Sequence, residues 1–204
     1  ERDGPVLALS RQTKPAVDIT DEQSVALAAA AVLHAIGPPR LVIVATGFLH
    51  APNISPEKTW RDLDIGHMQQ AFAVNAMGPA LVMKHFLPLL PRKGRSVFAA
   101  ISARVGSIGD NRLGGWYSYR ASKAALNQYL HTAAIELKRR APEAICVAIH
   151  PGTVETALSA PFAKVGLKPQ SPERAAQRIL ATLNTLDEDA SGGFFDHNGR
   201  EIPW

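Results

Sequence analysis

Ser96-Val97-Phe98-Ala99-Ala100-Ile101-Ser102 is a continuous apolar run closing on a small polar residue. A long stretch of helix formers follows it, opening at Gly115-Trp116-Tyr117-Ser118-Tyr119-Arg120-Ala121-Ser122-Lys123-Ala124-Ala125. An uninterrupted apolar strand suits a parallel sheet covered on both faces. In the helix after it, Tyr119 and Lys123 share one face, one turn apart. A phenol beside an ammonium ionises more readily, because the positive charge favours the phenolate. Such a pair can pass a proton closer to neutral pH than a free tyrosine, whose pKa is about 10. By spacing alone, a half-buried tyrosine with a snorkelling lysine is the commoner arrangement. The surroundings decide.

The same alternation of strand and helix extends outward in both directions. Val6-Leu7-Ala8-Leu9 reads as a buried strand, and Asp21 and Ser24 flank the start of an Ala-rich helix that stops at Gly37-Pro38-Pro39. Leu41-Val42-Ile43-Val44-Ala45 is a second strand, ending in Thr46-Gly47. A helical pattern runs from Ile65 to Leu90, and Ile145-Cys146-Val147-Ala148-Ile149 is a strand closing on His150-Pro151-Gly152. Ser171 as N-cap and Pro172 in the first turn open a helix to about Leu186. Gly192-Gly193-Phe194-Phe195 reads as a last strand. Five or six such alternations, without a repeat or linker, predict one α/β domain over residues 1–204 built on an open parallel sheet. Ligands bind such sheets beyond the carboxyl ends of the strands. Tyr119 and Lys123 open the helix that follows one of those ends, which favours a site over a core coincidence.

Composition narrows the function classes. Of 204 residues, 46% are hydrophobic and 20% charged, an ordinary globular balance. No apolar run reaches membrane-spanning length, so no membrane partner is expected. The net charge of +4 makes an anionic ligand plausible. Lys and Arg are not interleaved with aromatics, so nucleic acid is not expected. Arg92-Lys93-Gly94-Arg95 and Lys138-Arg139-Arg140 sit where helices end and complement the helix dipole. A lone Cys146 excludes an internal disulfide and fits a reducing, cytoplasmic compartment. No metal site is expected.

Several motifs together resemble the short-chain dehydrogenase/reductase family over nearly the whole chain. They are Tyr119-Arg120-Ala121-Ser122-Lys123, Asn75 within Val74-Asn75-Ala76, and Pro151-Gly152-Thr153-Val154-Glu155-Thr156, with Asp18-Ile19 and Ala45-Thr46-Gly47 as weaker matches. The ending from Gly192 to Trp204 is similar to the C-factor and carbonyl-reductase-like branch. The resemblance implies a Rossmann-type doubly wound sheet with helices on both faces, and hydride transfer between a nicotinamide cofactor and a carbonyl or alcohol. Tyr119 would be the general acid, with Lys123 lowering its pKa and binding the nicotinamide ribose. Asn75 would hold a water in a proton relay; read without the family, it is a helix Asn kept for a buried backbone contact. Val154 and Thr156, after the turn at Pro151-Gly152, would hold the carboxamide and phosphate end of the cofactor. Gly47 would line the cofactor groove. Asp18 would bind the adenine, or is a plain turn acid. Arg11 follows the first strand where no acid stands, which favours the 2′-phosphate of NADP over NAD; otherwise it is a surface Arg.

Two features depart from that family. Its tyrosine-assisting hydroxyl falls at Ala103 here, leaving Ser102, or Ser107 from the loop, as substitute. Adjacent strand residues face opposite sides, and loss of one oxyanion donor costs about 10²–10³-fold in rate. Second, no Gly-x-x-x-Gly-x-Gly turn for the pyrophosphate occurs. The first βα unit is absent, and its strand should lie between Val6–Leu9 and Leu41–Ala45. An N-terminally incomplete domain is expected on that ground. The substrate site is expected under the loop from Ala157 to Gln170, with Pro161, Phe162, Val165 and Leu167, facing Trp116 and Leu113. A homodimer or homotetramer through the 119–140 helix is the expected assembly. The competing reading is a non-enzymatic signalling or binding protein on the same fold, with weak or no cofactor binding.

Overall fold

The computed structural model describes residues 4–162 and 169–204. Its sheet has four parallel strands in the order β1 (Leu41–Val44), β2 (Ser96–Ile101), β3 (Ala144–His150) and β4 (Phe194–Asp196). Five α-helices accompany them: α1 (Glu22–Ile36), α2 (Ile65–Phe72), α3 (Gly78–Phe86), α4 (Tyr117–Arg140) and α5 (Pro172–Thr185). This is the α/β architecture expected from the sequence.

Alternation along β2 and β3 explains why both read as unbroken apolar runs. Phe98, Ala100, Cys146 and Ala148 pack into one core with Val25 and Val32 of α1, Val82 and Phe86 of α3, and Leu126, Leu130 and Leu137 of α4. Val97, Ala99, Ile145, Val147 and Ile149 face the other way, against Ile179 and Leu183 of α5. The helices stop and start where local chemistry directs. Asp21 accepts from Gln23 N at 3.0 Å to cap α1, and Ser171 accepts from Arg174 N at 3.2 Å to cap α5. The basic last turn of α4 is Lys138, Arg139 and Arg140, and Arg140 donates to Leu87 O at 2.8 Å.

Two expected elements differ. The helix expected from Ile65 to Leu90 breaks into α2, a π-turn at Ala73–Met77, α3 and a short 3₁₀ turn at Leu87–Leu89. Pro79 has no N–H for the carbonyl four residues before it, that of Asn75, and a proline is tolerated only in the first turn of α3. The π-turn absorbs this defect. Val6–Leu9 is not a strand; Val6 is 91% exposed and only Leu9 packs on the core. A strand needs a neighbour for its backbone groups, and none lies beside this segment among the described residues.

Consequently β1 is an edge. It pairs with β2 through Leu41↔Val97 and Ile43↔Ala99, and no described strand pairs with its other side. Leu41 and Ile43 continue the row of Val97 and Ala99, yet remain 45% and 39% exposed. Among the described residues, no helix is long and apolar enough to cross a membrane.

The asymmetry gives a test of the fold. Phe98→Ala, in a fully buried position, should lower unfolding free energy by about 3–5 kcal/mol. Ile43→Lys, on the uncovered row, should change it by no more than about 0.5 kcal/mol. Urea titrations of this chain measure both, and a large loss from Ile43→Lys would mean that β1 is covered.

Candidate active site

The carboxyl end of β2 meets the first two turns of α4, and there the chain places its expected proton-transfer pair. Tyr119 and Lys123 are both buried. Lys123 Nζ donates to Ile101 O at 2.9 Å and lies 5.9 Å from the centre of the Tyr119 ring. The helix sits so close to the strand end that a Cβ on Gly106 would meet Lys123 Cβ at 2.8 Å and Lys123 C at 3.0 Å. Glycine is required by that approach.

Electrostatics at the pair differ from the expectation that Lys123 lowers the phenol. Burial pushes Tyr119 up to about 12 and pulls Lys123 down to about 8. The reason is geometric: the ammonium is directed to a backbone carbonyl and not to the hydroxyl, so desolvation dominates for both groups. The tyrosine is therefore held as a neutral proton donor beside an amine that is still charged at neutral pH.

Asn75 sits fully buried in the π-turn. Its side chain accepts from Phe48 N at 2.7 Å and donates to Phe48 O at 2.7 Å and Ser122 Oγ at 3.0 Å. Ser122 in turn donates to Tyr119 O at 3.0 Å. The amide thus pins the segment after β1 to α4.

Neither serine named as a substitute hydroxyl reaches Tyr119. Ser102 Oγ donates to Asn127 Oδ1 at 2.6 Å, and Ser107 Oγ donates to Pro203 O. Alternation along the strand end directs Ser102 away and brings Ala103 to Tyr119. Ala103, Leu49 and Tyr119 form a buried cluster with Val105, Trp116, Leu158 and Phe162 packed on it. Trp116 meets Tyr119 edge-on at 6.2 Å and Phe162 at 5.3 Å, while His50 meets Phe162 at 5.4 Å. Trp116 and Phe162, expected as walls, pack beside Tyr119. Leu113 is not, being 83% exposed; Val165 and Leu167 lie outside the described residues.

The remaining expected positions lie at neighbouring strand ends. Thr46 Oγ1, just past β1, is buried without a hydrogen-bond partner among the described residues. A Cβ on the adjacent Gly47 would only touch Leu158 Cδ2 at 3.6 Å and Asn75 Oδ1 at 3.8 Å. After β3, Pro151 O accepts from Gln170 Nε2 at 2.5 Å, Val154 bridges Gln170, and Thr156 N donates to Ser159 Oγ at 3.2 Å. Arg11 and Asp18 are exposed on the segment before α1. Hydrogen bonds from the Thr20 side chain and backbone hold the Asp18 carboxyl below its ordinary range, and the charge of Arg11 adds to this. The orphaned Thr46 hydroxyl, the side-chain-free backbone at exposed Gly47 and the buried amine of Lys123 fit a polar dinucleotide along these strand ends. Sequence reasoning missed Leu49, Glu57, His67, Ser118 and Asn127, none of which carries a motif.

Comparison with known proteins agrees with this geometry. A family model described as enoyl-(acyl carrier protein) reductase matches residues 7–189. The chain is 35% identical over 144 residues to C-signal of Myxococcus xanthus, covering 70% of this chain and 82% of that protein. It is 30% identical over 203 residues to 1-hydroxy-2-glutathionyl-2-methyl-3-butene dehydrogenase of Rhodococcus sp., covering 99% and 85%. Among solved structures it is similar to NADPH-bound carbonyl reductase from chicken fatty liver, with TM-score 0.79 and 27% identity over 93% of this chain and 76% of that one.

The depressed lysine makes a signed prediction. Below about pH 8 the amine is charged in folded and unfolded chains alike, and the burial penalty is fully present; between about 8 and 10.5 only the unfolded chain stays charged. Stability through this group therefore rises with pH across that window. Relative to Lys123→Met, the wild-type chain should gain unfolding free energy between pH 8 and 10. Urea midpoints of both proteins at several pH values measure it, and a flat or falling difference contradicts the burial of the amine.

Proposed function

The chain belongs to the short-chain dehydrogenase/reductase family of nicotinamide-dependent oxidoreductases, and from that premise we propose that it reduces an apolar, ring-bearing carbonyl compound to the alcohol with NADPH as reductant. The observation that carries this reading is the buried Tyr119–Lys123 pair at the end of β2, walled by Leu49, Ala103, Trp116 and Phe162. The NADPH-bound carbonyl reductase of chicken, 27% identical, supports the cofactor and the substrate class.

When bound, the reduced nicotinamide supplies the hydride that adds to the carbonyl carbon. Thr46, Gly47 and Lys123 would hold its ribose side, Pro151, Val154 and Thr156 its carboxamide end, and Arg11 and Asp18 its adenosine end. Arg11 favours a 2′-phosphate, since a guanidinium suits forked phosphate contact. Tyr119 donates its phenolic proton to the carbonyl oxygen as negative charge develops there. A phenol held up to about 12 stays protonated until a strongly basic alkoxide forms. Apolar walls exclude water from the transfer. The family's glycine-rich turn is not in this sequence, and we place the strand that would carry it against the open edge of β1. Exposed Tyr129 and half-buried Ala125 on α4 are the surface through which we propose a homodimer or homotetramer.

One observation favours a second reading. Neither Ser102 nor Ser107 accompanies Tyr119: Ala103 packs beside it, while Ser102 is bound to Asn127 and Ser107 to Pro203. A binding or signalling protein on this fold, in line with the 35% identity to C-signal, would tolerate that loss.

Tyr119→Phe separates the two. Turnover of aromatic aldehydes with NADPH should fall about 10²–10⁴-fold, while NADPH affinity by fluorescence titration stays within about twofold. Unchanged turnover refutes the proton-donor role. Arg11→Asp should shift preference from NADPH toward NADH, read as the ratio of the two dissociation constants. The titrations are made on this chain and on the protein with any residues encoded before Glu1.

A further inference from the structure

We propose that Glu57 is a positioning residue for the reaction: its buried side chain and its backbone carbonyl clamp the first turn of α4 at Ser118 and Trp116 and so set Tyr119. The inference rests on the reading of Tyr119 as proton donor. It concerns a residue outside every motif discussed above.

Glu57 is 2% exposed, which is rare for a carboxylate without partners. Its partners lie on the first turn of α4. Glu57 Oε2 accepts from Ser118 N at 3.2 Å, Oε1 accepts from the Ser118 hydroxyl, and the backbone O of Glu57 accepts from Trp116 N at 2.5 Å. α4 has no side-chain cap of its own, since its N-cap is Trp116. The first N–H groups of a helix need acceptors, and a negative charge is favoured there. Glu57 supplies both from 61 residues away.

Backbone strain at the same turn explains why a clamp is needed. Gly114 and Gly115 have φ of 63°, and Trp116 follows with φ of 53°. Left-handed backbone is uncommon for a bulky residue and persists only where neighbours over-determine it. Here the neighbours are the backbone carbonyl and carboxylate of Glu57 and the Arg120 guanidinium. Glu57 takes the N–H groups of Trp116 and Ser118, while the Arg120 guanidinium donates to Gly114 O at 3.0 Å, Gly115 O at 2.8 Å and Val105 O at 3.2 Å. Trp116, thus fixed, lies edge-on to Tyr119 and to Phe162.

The clamp also reaches the cofactor side. His67 Nδ1 lies 3.2 Å from Glu57 Oε1, and the His67 ring meets Phe48 edge-on at 5.9 Å. Phe48 is the residue whose backbone Asn75 holds. A charge-transfer triad is excluded by the contacts: Ser118 and His67 each contact the carboxylate, and no hydrogen bond joins one to the other among the described residues. Glu57 reaches Tyr119 through Ser118 and through Trp116, so its effect is on geometry.

The experiment uses Glu57→Gln, Ser118→Ala and the double variant of the full chain. kcat and KM are read for NADPH-dependent reduction of 4-nitrobenzaldehyde, and the same substitutions are read by acrylamide quenching in a Trp60→Phe/Trp204→Phe background that leaves Trp116 as reporter. Glu57→Gln should lower kcat at least about 10-fold with KM for NADPH within about twofold, and the double variant should be no worse than Glu57→Gln alone, as expected of residues acting as a unit. Wild-type kcat in both single variants, or losses that multiply in the double, overturns the proposal. Should Glu57→Gln fail to fold, Ser118→Ala decides by the same kcat criterion. If the wild-type protein reduces no aldehyde, the functional reading fails on its own; the clamp then stands if Glu57→Gln at least doubles Trp116 quenching, and falls if quenching is unchanged.

Discussion

A buried amine with a single backbone partner holds the carboxyl end of this sheet together. Lys123 is brought to Ile101 O at 2.9 Å, and burying an ion with so little compensation is costly. The protein tolerates it because the rest of α4 is anchored by Leu126, Leu130, Ala134 and Leu137 in the main core. Gly106 lets the helix backbone approach the strand end, and Ser102 ties the next turn through Asn127. Core packing thus supplies the free energy that keeps an unfavourable charge in place. The depressed amine and the elevated phenol are the result of that exchange.

The packing of Ala103 against Tyr119 gives the pocket its character. With Ala103 in that place, Leu49, Val105, Trp116, Leu158 and Phe162 pack around Tyr119, Lys123 Nζ lies 5.9 Å from its ring centre, and His50 Nε2 lies 3.1 Å from Ala157 O. In the proposed reaction, an oxyanion forming there would take its proton from the phenol. Orientation of the phenol then matters more than in a site with two donors, and the ties at Asn75, Ser122 and Ser118 all act on that helix turn.

The legibility of these features in the sequence follows their locality. β2 and β3 were readable because burial on both faces makes them continuous apolar runs. Val6–Leu9 carries the same pattern but lacks a neighbour, and strand formation depends on partners that a local pattern does not contain. The break in the helix between Ile65 and Leu90 was written in Gly78-Pro79. Tyr119 and Lys123 are an i, i+4 pair and needed only the helix to be right. Strand parity already argued that Ser102 faces away from Ala103, and the bond to Asn127 is its consequence. Glu57, His67 and Ser118 were invisible, since each is ordinary alone and the contact between Glu57 and Ser118 spans 61 residues.

The uncovered row on β1 bears on how this chain behaves in concentrated solution. A strand edge with unpaired backbone groups and apolar side chains such as Leu41 and Ile43 is a template for another chain's strand. Opposing this is a net charge of only +4, a repulsion that salt screens beyond about 8 Å at physiological ionic strength. Colloidal stability of the isolated chain therefore depends on low salt and low concentration, and association through this edge would proceed independently of the face that carries Tyr119 and Lys123.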